Sequence, residues 1–521
     1  MLIDARQLPR DTEIEADICI IGAGAAGITL AREFIGRPFK VCLVESGGLD
    51  FDDETQSLYE GDLIGLPGTP LDASRLRFFG GSTNHWAGVC RPLDADVFEP
   101  RPWIPYSGWP ITRAELDPYY RRAHEIVQIG PYDYTPETWK EALPEFFRLP
   151  LIDGRLEPAI FQMSPPTRFG EFYRQELAAA ANVETYLYGN VVDIETNDTA
   201  SSVSRVRVSC LDGDAFRVKA KIFVLATGGI ENPRLLLLAN KVQAAGLGNT
   251  HDAVGRFYMN HPRLDAAWIM LNEASSPALR PVSSVGKIVT RLKVSERTAA
   301  AEGIARFAAW IYPAEASGKR PQSEGYKSLR WVVRLIRIGQ LSTEILTHLR
   351  RVAADLDGVV TDVIAKYSDQ PLISIEPEYE QVPNPYSRVM LGEDRDALGL
   401  NRVQVDWQFT ALDKFSLRRS LEIIGEEVGR TGVGRLRIDD WVMNDDLSSF
   451  PGEDRWHPAG TTRMSENPKT GVVDRNCRVH GIENLYVAGS SVFPTIGFAN
   501  PTLTIVAMTL RLGDHVKTAA A

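Results

Sequence analysis

Residues Ala16 to Phe34 read ADICIIGAGAAGITLAREF, and the reading of this stretch decides the fold. It opens with an unbroken apolar run, Ile18-Cys19-Ile20-Ile21, of the length and character of a strand buried on both faces of a parallel sheet. Gly22, Gly24 and Gly27 then fall in a G-x-G-x-x-G frame, and a helix-forming segment follows through Glu33. The first glycine turns the chain, the second lets backbone approach a pyrophosphate, and the third lets helix pack on strand. The bare amide groups and positive dipole end of the helix would hold the phosphates. A second apolar strand, Phe39 to Val44, ends on Glu45, where an acidic side chain is needed for a ribose hydroxyl. Strand, glycine loop, helix, strand and terminal Glu together specify a dinucleotide site. A tight strand–helix turn with an incidental Glu is the plainer alternative.

The 521 residues exceed what one core organises, so at least two domains are expected. Apolar content of 44 %, charged content of 24 % and a mean hydropathy of −0.16 are those of an ordinary globular protein. A net charge of −11 argues against nucleic acid or an anionic membrane as the main partner. No apolar run reaches the length of a membrane span. The segment MLIDARQLPRDTEIEAD has no apolar signal core and no twin-arginine motif, so a cytoplasmic location is expected, with export only alongside a partner. Cys19, Cys42, Cys90, Cys210 and Cys477 are scattered, with no C-x-x-C, haem or zinc spacing, and read as reduced structural thiols.

Further along, Gly80-Gly81-Ser82-Thr83-Asn84-His85-Trp86 sets polar side chains beside two glycines, a density that would line a flat heterocycle rich in acceptors. A helix is expected over Arg113 to Val127 with Thr112 and Glu115 as a capping box, and another over Glu171 to Ala181. Strands are expected at Val183 to Val192, Val203 to Ser209 and Phe216 to Val224, the last running into Ala226-Thr227-Gly228-Gly229. Asn260 and His261, in GRFYMNHP, read as a satisfied loop rather than a catalyst. Residues 315–370 read as a polar loop and then helix, with Arg330, Arg334 and Arg337 on one face among Trp331, Val332, Leu335, Ile336 and Ile338. Either an insertion covering the protein's own core or a docking surface fits that pattern. Leu372 to Glu380 and Arg402 to Phe409 return to period-two alternation, as in a half-buried antiparallel sheet of a second domain. Near the end, Trp456-His457-Pro458-Ala459-Gly460 carries a histidine on a turn, and Asn500-Pro501-Thr502 heads a last helix.

These motifs resemble the glucose–methanol–choline (GMC) family of FAD-dependent oxidoreductases almost end to end. The resemblance is carried by GAGAAG with Glu45, the GGSTNHW loop, ATGGIENPR at 226–234, WHPAGTTRM at 456–464 and NLYVAGSSVFPTIGFANPTLT at 484–504. The G-G-x-x-x-H-W loop and the E-Q-x-P-N-P-x-S-R stretch from Glu380 to Arg388 are shared with the bacterial branch of pyranose oxidases, fructose dehydrogenases and glucoside 3-dehydrogenases. The resemblance implies a catalytic pair, His457 as base and Asn500 beside it. It implies FAD held by Gly22, Gly24, Ala26, Gly27, Glu45, Gly81, Ser82, Asn84, His85, Val192, Ala226, Gly489, Ser490, Asn500, Pro501 and Thr502. Some relatives attach FAD covalently at the position of His85 and others do not, so both stay open. Ala87 departs from the fungal enzymes, which have Thr there. Gln381 is a further candidate for a sugar hydroxyl contact. No metal is needed.

The expected architecture is α/β, a Rossmann-like FAD domain (1–95, 183–265, 446–521) with a discontinuous α+β substrate domain on an antiparallel sheet (96–182, 266–445). The expected activity is oxidation of a ring hydroxyl of a sugar or glycoside to a ketone, by pyranose 2- or 3-oxidation. A non-sugar alcohol substrate and a non-redox lyase of the same fold are the alternatives. The reoxidant is O2 or another electron acceptor, the latter through a small subunit or cytochrome. Homo-oligomerisation stays open.

Overall fold

The computed structural model describes residues 1–520 apart from 148, 153, 265, 273–283, 314–323, 338–344, 357–358, 361–362, 364–371, 448–449 and 451–452. Its first sheet has eight strands and is built outward from Glu13–Ile21. That strand pairs in parallel with Val41–Val44 on one side (Ile18 opposite Val41) and with Ala215–Leu225 on the other (Ile18 opposite Ile222). Leu485–Val487, from the far end of the chain, adds to Ala215–Leu225 in the same sense. Ile18 to Ile21 are buried because helices cover the sheet; Ala25–Glu33 packs on Thr502–Ala519, which packs on Arg113–Ile126.

The expected single strand over 183–192 is two. Val183–Leu187 joins Val41–Val44 in parallel, whereas Asn190–Thr196 pairs antiparallel with Val203–Ser209 at the opposite edge. The chain breaks at Tyr188, which takes a left-handed φ of 64°, and Gly189. One continuous strand cannot reach both edges. The expected helix over 171–181 is likewise two short ones, Phe169–Phe172 and Arg174–Ala179.

The second sheet is antiparallel, also of eight strands. Its order runs Gly434–Ile438, Ala267–Leu271, Leu372–Tyr379, Phe307–Pro313, Ile288–Val294, Leu156–Met163 and Val89–Cys90, with Ser284–Val285 beside Ile288–Val294. Helix Ala411–Thr431 backs it, capped by Thr410 and Asp413 at one end and by left-handed Gly432 at the other. Two main cores follow the two sheets. Trp109, Leu116, Tyr120, Phe169 and Leu177, expected with the second domain, pack into the first core because the last helix needs a partner for its outer face.

In the 315–370 region, Glu324–Arg337 and Ile345–Ala354 pack on each other, with the Trp331 ring stacked on His348 at 4.0 Å between centroids. Much of the expected polar loop, Ile338 and the side chains of Arg334, Leu335, Ile336 and Arg337 lie outside the described residues. Among the described residues no helix is long and apolar enough to cross a membrane.

A buried ion pair ties segment 96–110 to the second sheet. Arg101 Nη1 and Nη2 donate to Glu380 Oε2 and Oε1, each at 2.6 Å. Burial opposes the charge on Glu380, yet Arg101 and the Arg306 amide hold its carboxyl below the usual range. Arg101→Met strands that charge and is expected to cost about 3–5 kcal/mol in urea unfolding, with the Arg101→Met/Glu380→Met double variant recovering most of the loss.

Candidate active site

A single cavity of about 520 Å³ runs from the glycine loop to the C-terminal histidine. At its first end, helix Ala25–Glu33 begins with no side-chain cap, leaving its first amides bare. A Cβ at Gly24 would meet nothing within 4 Å, so the backbone there opens into the cavity. Gly27 does the opposite: a Cβ on it would lie 1.8 Å from the Gly22 carbonyl oxygen. It is a packing glycine and does not line the cavity.

Glu45 is buried at the cavity wall, Oε2 accepting from the Ala23 amide (2.7 Å) and Oε1 from the Gly47 amide (3.1 Å). Burial pushes its carboxyl up, against the pull of those amides and of Arg77. Each oxygen keeps a lone pair for a vicinal diol. Ala26, Gly81, Ser82, His85, Ala226, Gly489, Ser490, Asn500, Pro501 and Thr502 also line the cavity. Besides Gly27, two expected residues do not. Asn84 turns its amide to the Phe79 carbonyl (3.0 Å) and ties its own loop. Val192 is replaced by Val191, which pairs with Val208, whereas Val192 is skipped where the ladder shifts register between Val191 and Asp193.

At the other end His457 Nε2 lies 3.4 Å from Asn500 Nδ2, forty-three residues along the chain. The His457 amide donates to Asn260 Oδ1 (2.9 Å), which also accepts from the His261 amide (2.9 Å). Asn260 Nδ2 donates to Asp454 Oδ2 (2.9 Å), so one buried asparagine clamps loop 260–261 to loop 454–457. Gln381 stands behind this clamp, accepting from the Asn260 amide (2.8 Å) and Trp407 Nε1 (2.9 Å) and donating to Gln408 O (3.0 Å). It is fully buried and off the cavity, which corrects its assignment as a sugar contact. Trp456 holds a left-handed φ of 60° and stacks on His85 at 5.0 Å between centroids.

Sequence reasoning passed over the most consequential neighbours. His261 Nδ1 lies 2.9 Å from His457 Nδ1, so the loop histidine is satisfied by the second histidine. Arg291 and Glu378 form a buried pair at 2.7 Å, and Arg291 Nη2 donates to Asn500 Oδ1 (3.1 Å). The pair is not aligned as a hydrogen bond. Arg291 Nε and Nη1, both Glu378 oxygens, Asp454 Oδ1 and Arg455 Nε have no hydrogen-bond partner among the described residues. All four residues line the cavity. Burial opposes the charge on Glu378, but Arg291 and Arg455 hold it at about 2. Burial, then His261, push the His457 imidazolium well below its usual range. Ligand atoms of His261, Glu378 and His457 lie within 4.8 Å of one another, a donor set that a cation could use and that the two Nδ1 atoms now occupy with each other. Period-two placement of Glu376 and Glu378 on one strand was the only local signal for this cluster.

The family described as GMC oxidoreductase matches residues 383–509, and that described as FAD dependent oxidoreductase matches 17–249. The fructose dehydrogenase large subunit of Gluconobacter japonicus is 24% identical over 96% of this chain and 98% of its own. Paromamine 6'-oxidase of Streptomyces fradiae is 24% identical over 97% of this chain and 92% of its own. Pyridoxine 4-oxidase from Mesorbium loti shares the fold at a TM-score of 0.61 and 17% identity, over 96% of this chain and 99% of that one. FAD fits the residues present: bare helix amides and an open Gly24 suit a pyrophosphate, and Glu45 suits the adenosine ribose.

Two glycine substitutions separate packing from binding. Gly24→Val is expected to fold and to lose most of its flavin absorbance, because the side chain fills only the cavity. Gly27→Ala is expected to lower apoprotein stability by about 1–3 kcal/mol in denaturant titrations, through overpacking.

Proposed function

The chain is a GMC-type, FAD-dependent oxidoreductase, and from that premise we propose that it oxidises a secondary ring hydroxyl of a sugar or glycoside to a ketone, with His457 as the base. The observation that carries the proposal is the continuity of one cavity from Gly24 and Glu45 to the His457–Asn500 pair.

Bound FAD supplies the two-electron acceptor for the hydride that leaves the carbinol carbon. A hydroxyl between His457 Nε2 and Asn500 Nδ2 donates to the first and accepts from the second. His457 removes its proton, and the Asn500 amide restrains the charge that develops on the oxygen. Arg291 fixes which way the Asn500 amide faces, since a guanidinium only donates and holds Oδ1.

The substrate class is supported by the unsatisfied atoms around this point. Buried donors and acceptors without partners cost free energy unless a ligand meets them. Glu378, Arg291, Asp454 and Arg455 present both kinds, as a polyhydroxylated ring would require. Trp310 and Trp456 add flat apolar walls for its C–H faces. The names of the relatives, fructose dehydrogenase and paromamine 6'-oxidase, agree with a polyol or sugar-like substrate. The large-subunit relative further supports a partner subunit as a route for electrons.

Anaerobic bleaching of the flavin by a panel of sugars and glycosides tests the substrate class, and bleaching by no alcohol overturns it. Peroxide formation in air separates an oxidase from a dehydrogenase. His457→Ala is expected to keep its FAD and to reduce it ~10²–10⁴-fold more slowly, the usual worth of a placed base. Because the depressed His457 stays neutral below the ordinary histidine value of 6.5, flavin reduction should stay level as pH falls through 6.5.

A further inference from the structure

We propose that His261 is a positioning residue that fixes the tautomer of His457, with the main-chain carbonyl of Gly497 as the anchor of the relay. The proposal rests on His457 being the proton acceptor.

The argument runs through groups whose hydrogen-bonding roles leave no choice. A carbonyl oxygen only accepts, and Gly497 O lies 2.8 Å from His261 Nε2, so that nitrogen carries a proton. His261 is 1% exposed, and burial pushes its imidazolium below the usual range, so the ring is neutral. A neutral imidazole protonated at Nε2 is bare at Nδ1. His457 Nδ1 lies 2.9 Å from that bare nitrogen and must donate to it. His457, also neutral, is then bare at Nε2, the atom facing Asn500 and the cavity.

An independent chain of contacts reaches the same nitrogen from the other side. Arg291 Nη2 only donates, and it holds Asn500 Oδ1 at 3.1 Å. The Asn500 amide therefore turns Nδ2 toward His457 Nε2, and Nδ2 only donates. A donor at that place requires an acceptor opposite. Both ends of the relay give His457 the same tautomer.

That form is the one a base needs. A free imidazole favours the Nε2–H form, in which the cavity-facing nitrogen has no lone pair for a hydroxyl proton. Holding the wrong tautomer out is the role a buried acceptor plays behind a reactive histidine. When His457 Nε2 takes up a proton, the Nδ1–H bond to His261 becomes charge-assisted and tightens. The charged groups facing the two rings are Glu378, which favours the imidazolium, and Arg291 and Arg455, which oppose it. His261 itself accepts a hydrogen bond and takes no proton.

Solid-state 15N NMR of the histidine-labelled holoenzyme reads the tautomer directly, with His457→Ala identifying the signal among eight histidines. Expected is a protonated Nδ1 and a bare Nε2 for His457; the reverse assignment overturns the proposal whatever the activity. His261→Asn offers its amide oxygen where Nδ1 stood, and His261→Leu offers no acceptor. His261→Leu, with FAD content and substrate Kd unchanged, is expected to slow flavin reduction ~10–100-fold, the range of partners one step behind a functional histidine. His261→Asn should recover most of that loss. Equal losses in the two variants, or no loss in either while His457→Ala is inactive, would overturn the relay and leave His457 as the base. Full activity of His457→Ala would instead remove the base, with the NMR result still standing on its own. Should His261→Leu not fold, the wild-type spectrum decides.

Discussion

A methyl group on residue 27 would sit 1.8 Å from the carbonyl oxygen of Gly22, closer than a Cβ on any other glycine among the described residues would come to a neighbouring atom. That approach lets helix Ala25–Glu33 lie directly against the end of strand Glu13–Ile21, with its bare amides turned outward. Two more segments converge on the same turn. The Gly80 amide donates to Ala23 O at 2.9 Å, and a Cβ on Gly22 would lie 2.8 Å from Ala226 O. The loop carrying His85 and the strand ending at Ala226 are thereby registered against the phosphate turn. Backbone at three glycine-rich places frames the first end of the cavity, and the Glu45 side chain completes its wall.

The second end is built differently, from side chains that would be costly if left unmatched. Asn260 spends its carbonyl on the amides of His261 and His457 and its amino group on Asp454. Two loops far apart in the chain become one rigid unit. Behind them, Gln381 Oε1 accepts from the main-chain amide of Asn260 and from Trp407 Nε1. In front stands a pair that adds little to stability: a buried Arg–Glu couple is often no better than an apolar pair of the same volume. Arg291 and Glu378 also leave polar atoms unmatched at the cavity wall. Such an arrangement makes physical sense where a polar ligand completes it, and the orientation of Asn500 depends on it.

Much of the fold was legible because it rests on local rules. The glycine frame, the buried β run and Glu45 specify the parallel half, and the Thr112–Glu115 capping box starts its helix at Arg113. Leu372–Tyr379, read from its alternation as a half-buried strand, does pair antiparallel but is buried at every position after the first. Misreadings fell where packing decides. Tyr188 breaks an apparently continuous strand, since the two halves of the run pair with opposite edges of one sheet. Val191 takes the place of Val192 at a register shift in the ladder between Val191 and Asp193, which local periodicity does not announce. Gln381 sits in a motif shared with sugar oxidoreductases, yet its neighbours turn it inward.

The amino-acid sequence by itself determined the phosphate turn and the cofactor class, and it singled out His457 and Asn500, which the structure brings to 3.4 Å of each other. Glycine conformations, caps and hydrophobic periods act over a few residues and can be read from a few residues. Only the tertiary structure decided that His261, 196 residues away, meets His457, and that Arg291 and Glu378 stand beside Asn500. Those contacts join two strands of the second sheet to three loops far apart in the chain, and no local rule links them; their register comes from how two sheets and the last helix pack around one cavity.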